Sequence, residues 1–135
     1  MRLVVDTNVL VSILIRPGSA LSSLAEKLDQ PDCTLLYSAE TLAELVDVLR
    51  RRKFAKYTTP EDVTVFVEWF IDVGELIEPI PAVQMSRDPK DNKFIALAVA
   101  GEASYIVTGD DDLLVLKQVS KATIVTPADF LTMVG

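Results

Sequence analysis

Aspartates stand where three apolar runs begin or break off. Leu3-Val4-Val5 leads into Asp6-Thr7-Asn8, and Tyr105-Ile106-Val107 leads into Thr108-Gly109-Asp110-Asp111-Asp112. Asp91 lies just ahead of a third run, Phe94 to Ala100. If the first two runs are neighbouring parallel strands, Asp6 and Asp110 emerge at one carboxyl edge, where open α/β sheets place their ligands. Carboxylates gathered there repel one another unless a cation joins them, and hard oxygen donors suit Mg²⁺ or Mn²⁺. The chain has no histidine and one cysteine. Imidazole acid–base catalysis and His/Cys metal sites are thereby removed.

Each candidate also has a purely structural account. Asp6 can start a turn by accepting from nearby amides, and Thr7 and Asn8 fit the same role. Asp88 can cap a helix beginning at Pro89, which places Asp91 at the third helical position, where an acid favours the helix amino end. The Asp110–Asp112 run is harder to explain so simply, because one aspartate suffices for a cap and three repel. Asp110 and Asp112 can both reach a cation, with Asp111 toward solvent. Gly109 permits close backbone approach, and the Thr108 hydroxyl can orient a carboxylate. Glu44 lies off the stripe Leu42, Leu45, Val46, Leu49, as does Glu40 one turn earlier, so pattern alone makes both surface glutamates.

The elements that must position these groups read as strands near 2–6, 33–37, 75–78, 104–108 and 122–125. Helices fit about 18–29, 39–52, 60–72, 89–101, 111–117 and 127–134. This alternation is the pattern of βαβ units around a parallel sheet. Thr59-Pro60-Glu61-Asp62 carries N-cap chemistry, as do Ser38 and Thr126-Pro127. Gly74 and Gly101 fall where helices should stop. Val63, Phe66, Val67 and Phe70 should face the core. Val65 and Trp69 lie on another side and could sit under a loop or form a partner surface.

At 135 residues, 50% of them hydrophobic, the chain reads as one compact domain rather than a disordered segment. Asp6 interrupts the first apolar run, so no signal peptide is expected, and no run is long enough for a membrane helix. Cys33 has no internal partner and reads as a small core residue. The protein is expected to be cytoplasmic. A net charge of −7 runs against non-specific nucleic-acid binding overall. Local patches remain. Arg50-Arg51-Arg52-Lys53 with Lys56 either complements a helix carboxyl end or meets phosphate, and Arg16, Arg87, Lys90 and Lys93 lie nearer the presumed ligand edge.

Taken together and in order, these stretches resemble the PIN-domain family, and within it the VapC-like toxins of type II toxin–antitoxin pairs. The matching text is Val4 to Leu10, Ser38 through Leu45, Arg87-Asp88-Pro89-Lys90-Asp91-Asn92, Tyr105 through Leu114, and Ile124-Val125-Thr126-Pro127. The resemblance implies a three-layer α/β/α sandwich with a five-stranded parallel sheet spanning residues 1–135 as a single domain. It implies a Mg²⁺- or Mn²⁺-dependent endoribonuclease with Asp6, Glu44, Asp91 and Asp110 as catalytic acids. Asp6, Asp91, Asp110 and Asp112 would be metal ligands, supported by Asn8 and Thr108. On charge and position, independently of the resemblance, Arg16, Arg50, Arg51, Lys53, Arg87 and Lys90 are the candidates to contact RNA. The resemblance further implies an antitoxin partner and a homodimer, with any operator binding left to the partner.

Two rivals are weighed against this. Aspartyl-phosphate chemistry would need a second aspartate two residues after Asp6, or an acceptor aspartate on the third strand, where Leu76 to Ile80 offers only glutamate. A PIN-type module that has lost catalysis and acts through protein or RNA contacts is the serious alternative. The full set of acids speaks against it, since unused clustered carboxylates are destabilising.

Overall fold

The computed structural model describes residues 1–16, 21–78 and 89–134. Arg87 and Asp88, and with them the expected Asp88 cap and Arg87 contact, lie outside the described residues. Among the described residues six strands form one sheet: β1 Arg2–Val5, β2 Thr34–Tyr37, β3 Gly74–Leu76, β4 Tyr105–Val107, β5 Gln118–Val119 and β6 Ala122–Val125. Their order is β3-β2-β1-β4-β6-β5. All pairings are parallel except β5 with β6. The expected five-stranded parallel sheet is therefore a six-stranded, mostly parallel one. The additional strand is a two-residue edge hairpin, turned by a positive φ at Ser120.

Seven α-helices accompany the sheet among the described residues: α1 Thr7–Ile15, α2 Leu21–Leu28, α3 Ala39–Leu49, α4 Pro60–Val73, α5 Asn92–Ala100, α6 Asp111–Leu114 and α7 Pro127–Val134. Alternation along the strands divides the core between two faces. Leu3, Val5, Leu35 and Val107 point to a cluster shared with α1, α2, α3, α4 and α7. Val4, Leu36, Ile106 and Ile124 point to a second cluster, filled mainly by Phe94, Ile95, Leu97 and Ala98 of α5. This is the expected three-layer α/β/α arrangement.

Cap chemistry settles several boundaries. The Ser38 and Thr59 hydroxyls each accept from the backbone N–H of the third helical residue, and the Ser38 and Thr59 backbone N–H groups donate back to the side chains of Thr41 and Asp62, closing capping boxes at α3 and α4. α1 is a helix that the sequence pattern does not announce. Six of its nine residues TNVLVSILI are apolar and five are β-branched, so the apolar set is too broad to stand out as a narrow helical stripe. Asp6 starts it as N-cap, accepting from the Asn8 N–H at 2.6 Å. At the other acid loop, Pro89–Asp91 forms a 3₁₀ turn and α5 begins only at Asn92. Asp91 is thus the N-cap residue rather than the third residue of the helix.

β1 and β4 are adjacent, yet the chain leaves β1 toward β2 and leaves β4 toward the opposite edge. The strand order therefore reverses between them. A crevice opens at such a switch point, outside the carboxyl ends of the two strands. Asp6 and the Thr108–Asp112 loop follow those ends.

Candidate metal centre

Carboxylate oxygens of Asp91, Asp110 and Asp112 lie within 4.8 Å of one another. Two helix starts bring them together. Asp91 is buried at the start of α5, whose Phe94–Ala98 segment is packed into the sheet. Asp110 caps α6 by accepting from the Asp112 N–H at 2.9 Å, which sets both side chains on the near side while Asp111 is exposed. Three hard oxygen donors in this spacing are suited to Mg²⁺ or Mn²⁺, both of which favour carboxylate ligands.

Asp6 is not part of that triplet but is tied to it. The buried Thr108 hydroxyl donates to Asp6 Oδ2 at 2.5 Å and accepts from the Asp110 N–H at 3.0 Å. One side chain thus couples the β1 loop to the β4 loop. Burial pushes the Asp6 carboxyl up from the usual carboxylate range, the bonds from Thr108, Asn8 and Val9 oppose this, and the Asp110 charge adds to the rise. A cleft of about 340 Å³ runs past Asp6, Asn8, Ser12, Gly109 and Asp110.

A model of the PIN domain matches residues 2–112. The chain belongs to the PIN domain family. PIN domains are generally nucleases that use divalent metals. An uncharacterized protein of Methanocaldococcus jannaschii is 31% identical over 121 residues, covering 89% of this chain and 77% of that protein. Among solved structures, VapBC2 from Rickettsia felis, bound to a DNA fragment from its promoter, is similar in fold. Its TM-score is 0.60 at 18% identity, over 92% of this chain and 97% of that one. FitAcB from Neisseria gonorrhoeae gives a TM-score of 0.56 at 16% identity, over 93% and 98%.

The remaining predicted residues of this PIN domain fall into two groups. Glu44 is outside the triplet, but its Oε2 accepts from the Thr7 hydroxyl at 2.8 Å and its Oε1 pairs with Lys93 Nζ at 3.3 Å, which ties it to neighbours of Asp6 and Asp91 in the chain. Glu40 is exposed at the start of α3. Periodicity misplaced Glu44 because α3 is covered on a second side by α1 and α5, where Val48 is buried too. Asn8 contributes a backbone N–H while its residue is exposed, so Thr7 makes the side-chain contact in that pair. A Cβ on Gly109 would meet nothing within 4 Å, so no protein backbone approaches it closely.

Lys93 is the residue that sequence reasoning undervalued. Its side chain is 12% exposed, and its ammonium also donates to the Lys90 carbonyl. Lys93 stands in the first turn of α5, where a cation is electrostatically disfavoured, but with the helix read from residue 89 it fell beyond that turn and gave no signal. Arg16, Arg50, Arg51 and Lys53 sit elsewhere, at the far ends of α1 and α3. Arg51 pairs with Asp47 at 3.5 Å, and Lys90 is exposed beside Asp91. No described helix is long and apolar enough to cross a membrane.

Proposed function

We propose that this PIN domain is a Mg²⁺- or Mn²⁺-dependent endoribonuclease and the toxin of a toxin–antitoxin pair. The observation that carries the reading is the convergence of Asp91, Asp110 and Asp112 within 4.8 Å at the switch point of the sheet. These three carboxylates would hold the ion. When bound, it supplies charge stabilisation at the phosphoryl oxygens and makes nearby water a stronger acid. Asp6, fixed by Thr108 and the Asn8 N–H, adds negative charge beside Asp110 and serves as a further ligand. Glu44, held by Thr7 and Lys93, is the remaining acid of the set. With no histidine in the chain, proton removal from the attacking water falls to these carboxylates or to the ion. Hydrolysis of this kind leaves a 5′-phosphate and does not require the 2′-hydroxyl.

The partner reading rests on fold likeness to VapBC2 and FitAcB. It is supported by the exposed Val65 and the adjoining Trp69 side of α4, a surface for an antitoxin or a second copy of the chain. The test is RNA cleavage by the purified chain with Mg²⁺ or Mn²⁺ against EDTA. Wild type should cleave, and Asp91→Asn and Asp110→Asn should not, with circular dichroism unchanged. Equal cleavage by wild type and both variants would mean a contaminating nuclease and defeat the assignment.

A further inference from the structure

Glu44 and Lys93 form an ion pair that the Asp91, Asp110 and Asp112 triplet does not use. Lys93 stands two positions after Asp91, in the first turn of α5. Its Nζ lies 3.3 Å from Glu44 Oε1, donates to the Lys90 carbonyl and stands 5.2 Å from the Phe94 ring centre. With its side chain 12% exposed, this is a fixed cation under cover rather than a surface lysine that sweeps solvent for a phosphate. Holding it there costs side-chain entropy and hydration, and the amino end of a helix repels it. Glu44 is held as firmly, since its Oε2 accepts from the Thr7 hydroxyl at 2.8 Å. Asp6 likewise has a partner on each oxygen, the Asn8 N–H on Oδ1 and the Thr108 hydroxyl on Oδ2. Among the described residues, Asp91, Asp110 and Asp112 are the one group of acids close enough to share an ion, and Asp6 and Glu44 complete no second group.

From these observations we infer that the Lys93 ammonium occupies the place a second divalent cation would take beside Glu44, so that the centre holds a single ion. The inference rests on the metal-nuclease reading and adds to it the number of ions and the residue that sets it. Two-metal phosphodiester sites hold their ions about 3.5–4 Å apart, so that the attacking and leaving oxygens are both stabilised. An ion bound to Glu44 Oε1 at about 2.1 Å would stand no more than about 5.4 Å from the ammonium. Under the cover that Lys93 has, the repulsion between them is weakly screened. Glu44 therefore already has its counter-charge, and the crevice keeps one positive charge that does not depend on metal concentration. A pair whose only task is to join α3 to α5 is served as well by apolar side chains, without the desolvation of two charges. Lys93 is thus a positioning residue, acting through Glu44 and the ion count.

The test is Mn²⁺ titration of the full chain followed by electron paramagnetic resonance, which counts bound ions and reports whether two of them are close. Wild type should bind one ion with the hyperfine-split signal of isolated Mn²⁺. Lys93→Met and Lys93→Gln should each bind two, with the signal broadened and reduced by coupling between ions about 3.5–4 Å apart. Adding Glu44→Gln to Lys93→Met should return the count to one, and Lys93→Arg should leave it at one. Two coupled ions in wild type would overturn the inference. One ion in both neutral variants, with circular dichroism unchanged, would overturn it too and reduce the pair to a link between α3 and α5. Failure of wild type to bind Mn²⁺ would remove both the inference and the metal-nuclease reading. Should wild type bind one ion and the neutral variants two, while none of them cleaves RNA, the nuclease reading falls and the role of Lys93 stands.

Discussion

Thr108→Val removes one hydroxyl, keeps the side-chain shape, and tests whether the two acid loops are coupled as the geometry indicates. Thr108 is fully buried and its hydroxyl donates to the Asp6 carboxylate at 2.5 Å. A hydrogen bond to a charged group contributes about 1.5–3 kcal/mol, and the Asp110 N–H also loses its acceptor, though water can partly replace that. The expected loss near neutral pH is about 2–4 kcal/mol. For 135 residues the unfolding entropy is about 0.28 kcal/mol/K, so the melting temperature should fall by about 7–14 °C. The loss should also depend on pH. Removing a bond that favours the ionised form raises the Asp6 pKa further, so the folded variant binds protons more readily than folded wild type. The stability difference therefore grows as pH rises, and it shrinks to about 1 kcal/mol once Asp6 is protonated and the bond is between neutral groups. Urea unfolding of wild type, Thr108→Val, Thr108→Ser and the same changes in an Asp6→Asn background gives the coupling directly. Thr108→Ser keeps the hydroxyl and should lose only its buried methyl, about 1 kcal/mol with no dependence on pH. A Thr108→Val loss that is independent of pH, or identical in the Asp6→Asn background, would refute the coupling.

Three further outcomes are expected. Asp6→Asn should raise the melting temperature of the metal-free protein at neutral pH. Its carboxyl pKa is raised on folding, chiefly by burial, so folding is favoured below the ordinary value of 3.8 and the benefit is lost as pH rises through the folded-state value. A melting temperature below that of wild type at neutral pH in EDTA would contradict this. Lys93→Met should tighten Mn²⁺ binding about five-fold in calorimetry, since it removes a cation paired with Glu44 beside the acids, a contribution of ~1 kcal/mol; unchanged or weaker binding would count against it. Gly74→Ala should destabilise by about 1–3 kcal/mol in denaturant, because its Cβ would stand 2.7 Å from the Phe70 carbonyl and 2.8 Å from the buried Tyr37 ring, and neither can withdraw.

The acids that follow strands were the most legible part of the site. Asp6 and Asp110 could be placed at one edge because a short β-rich run ending in an acid identifies both the strand and its carboxyl end. Asp91 was legible through the buried helix behind it, although its position relative to the helix start was not, because a 3₁₀ turn intervenes. Glu44 could not be located from its own helix. The stripe Leu42, Leu45, Leu49 describes one covered face, and only the packing of α1 and α5 creates the second. α1 stayed hidden for a related reason: six of its nine residues are apolar and five are β-branched, so its period is weak and its composition reads as strand. The sixth strand is two residues long and is defined by its turn and partner rather than by composition. Lys93 was legible as a charge but not as a contact, since its partner is 49 positions away.

All of this depends on carboxylates from separate loops meeting around one divalent cation. A crystal of the protein soaked in Mn²⁺ and measured for anomalous scattering tests that directly. The account predicts a single strong peak bounded by Asp91, Asp110 and Asp112, at about 2.0–2.3 Å from their oxygens, and lost in Asp110→Asn. Saturating Mn²⁺ with no peak among these residues, or a peak only at the surface acids elsewhere, would contradict it.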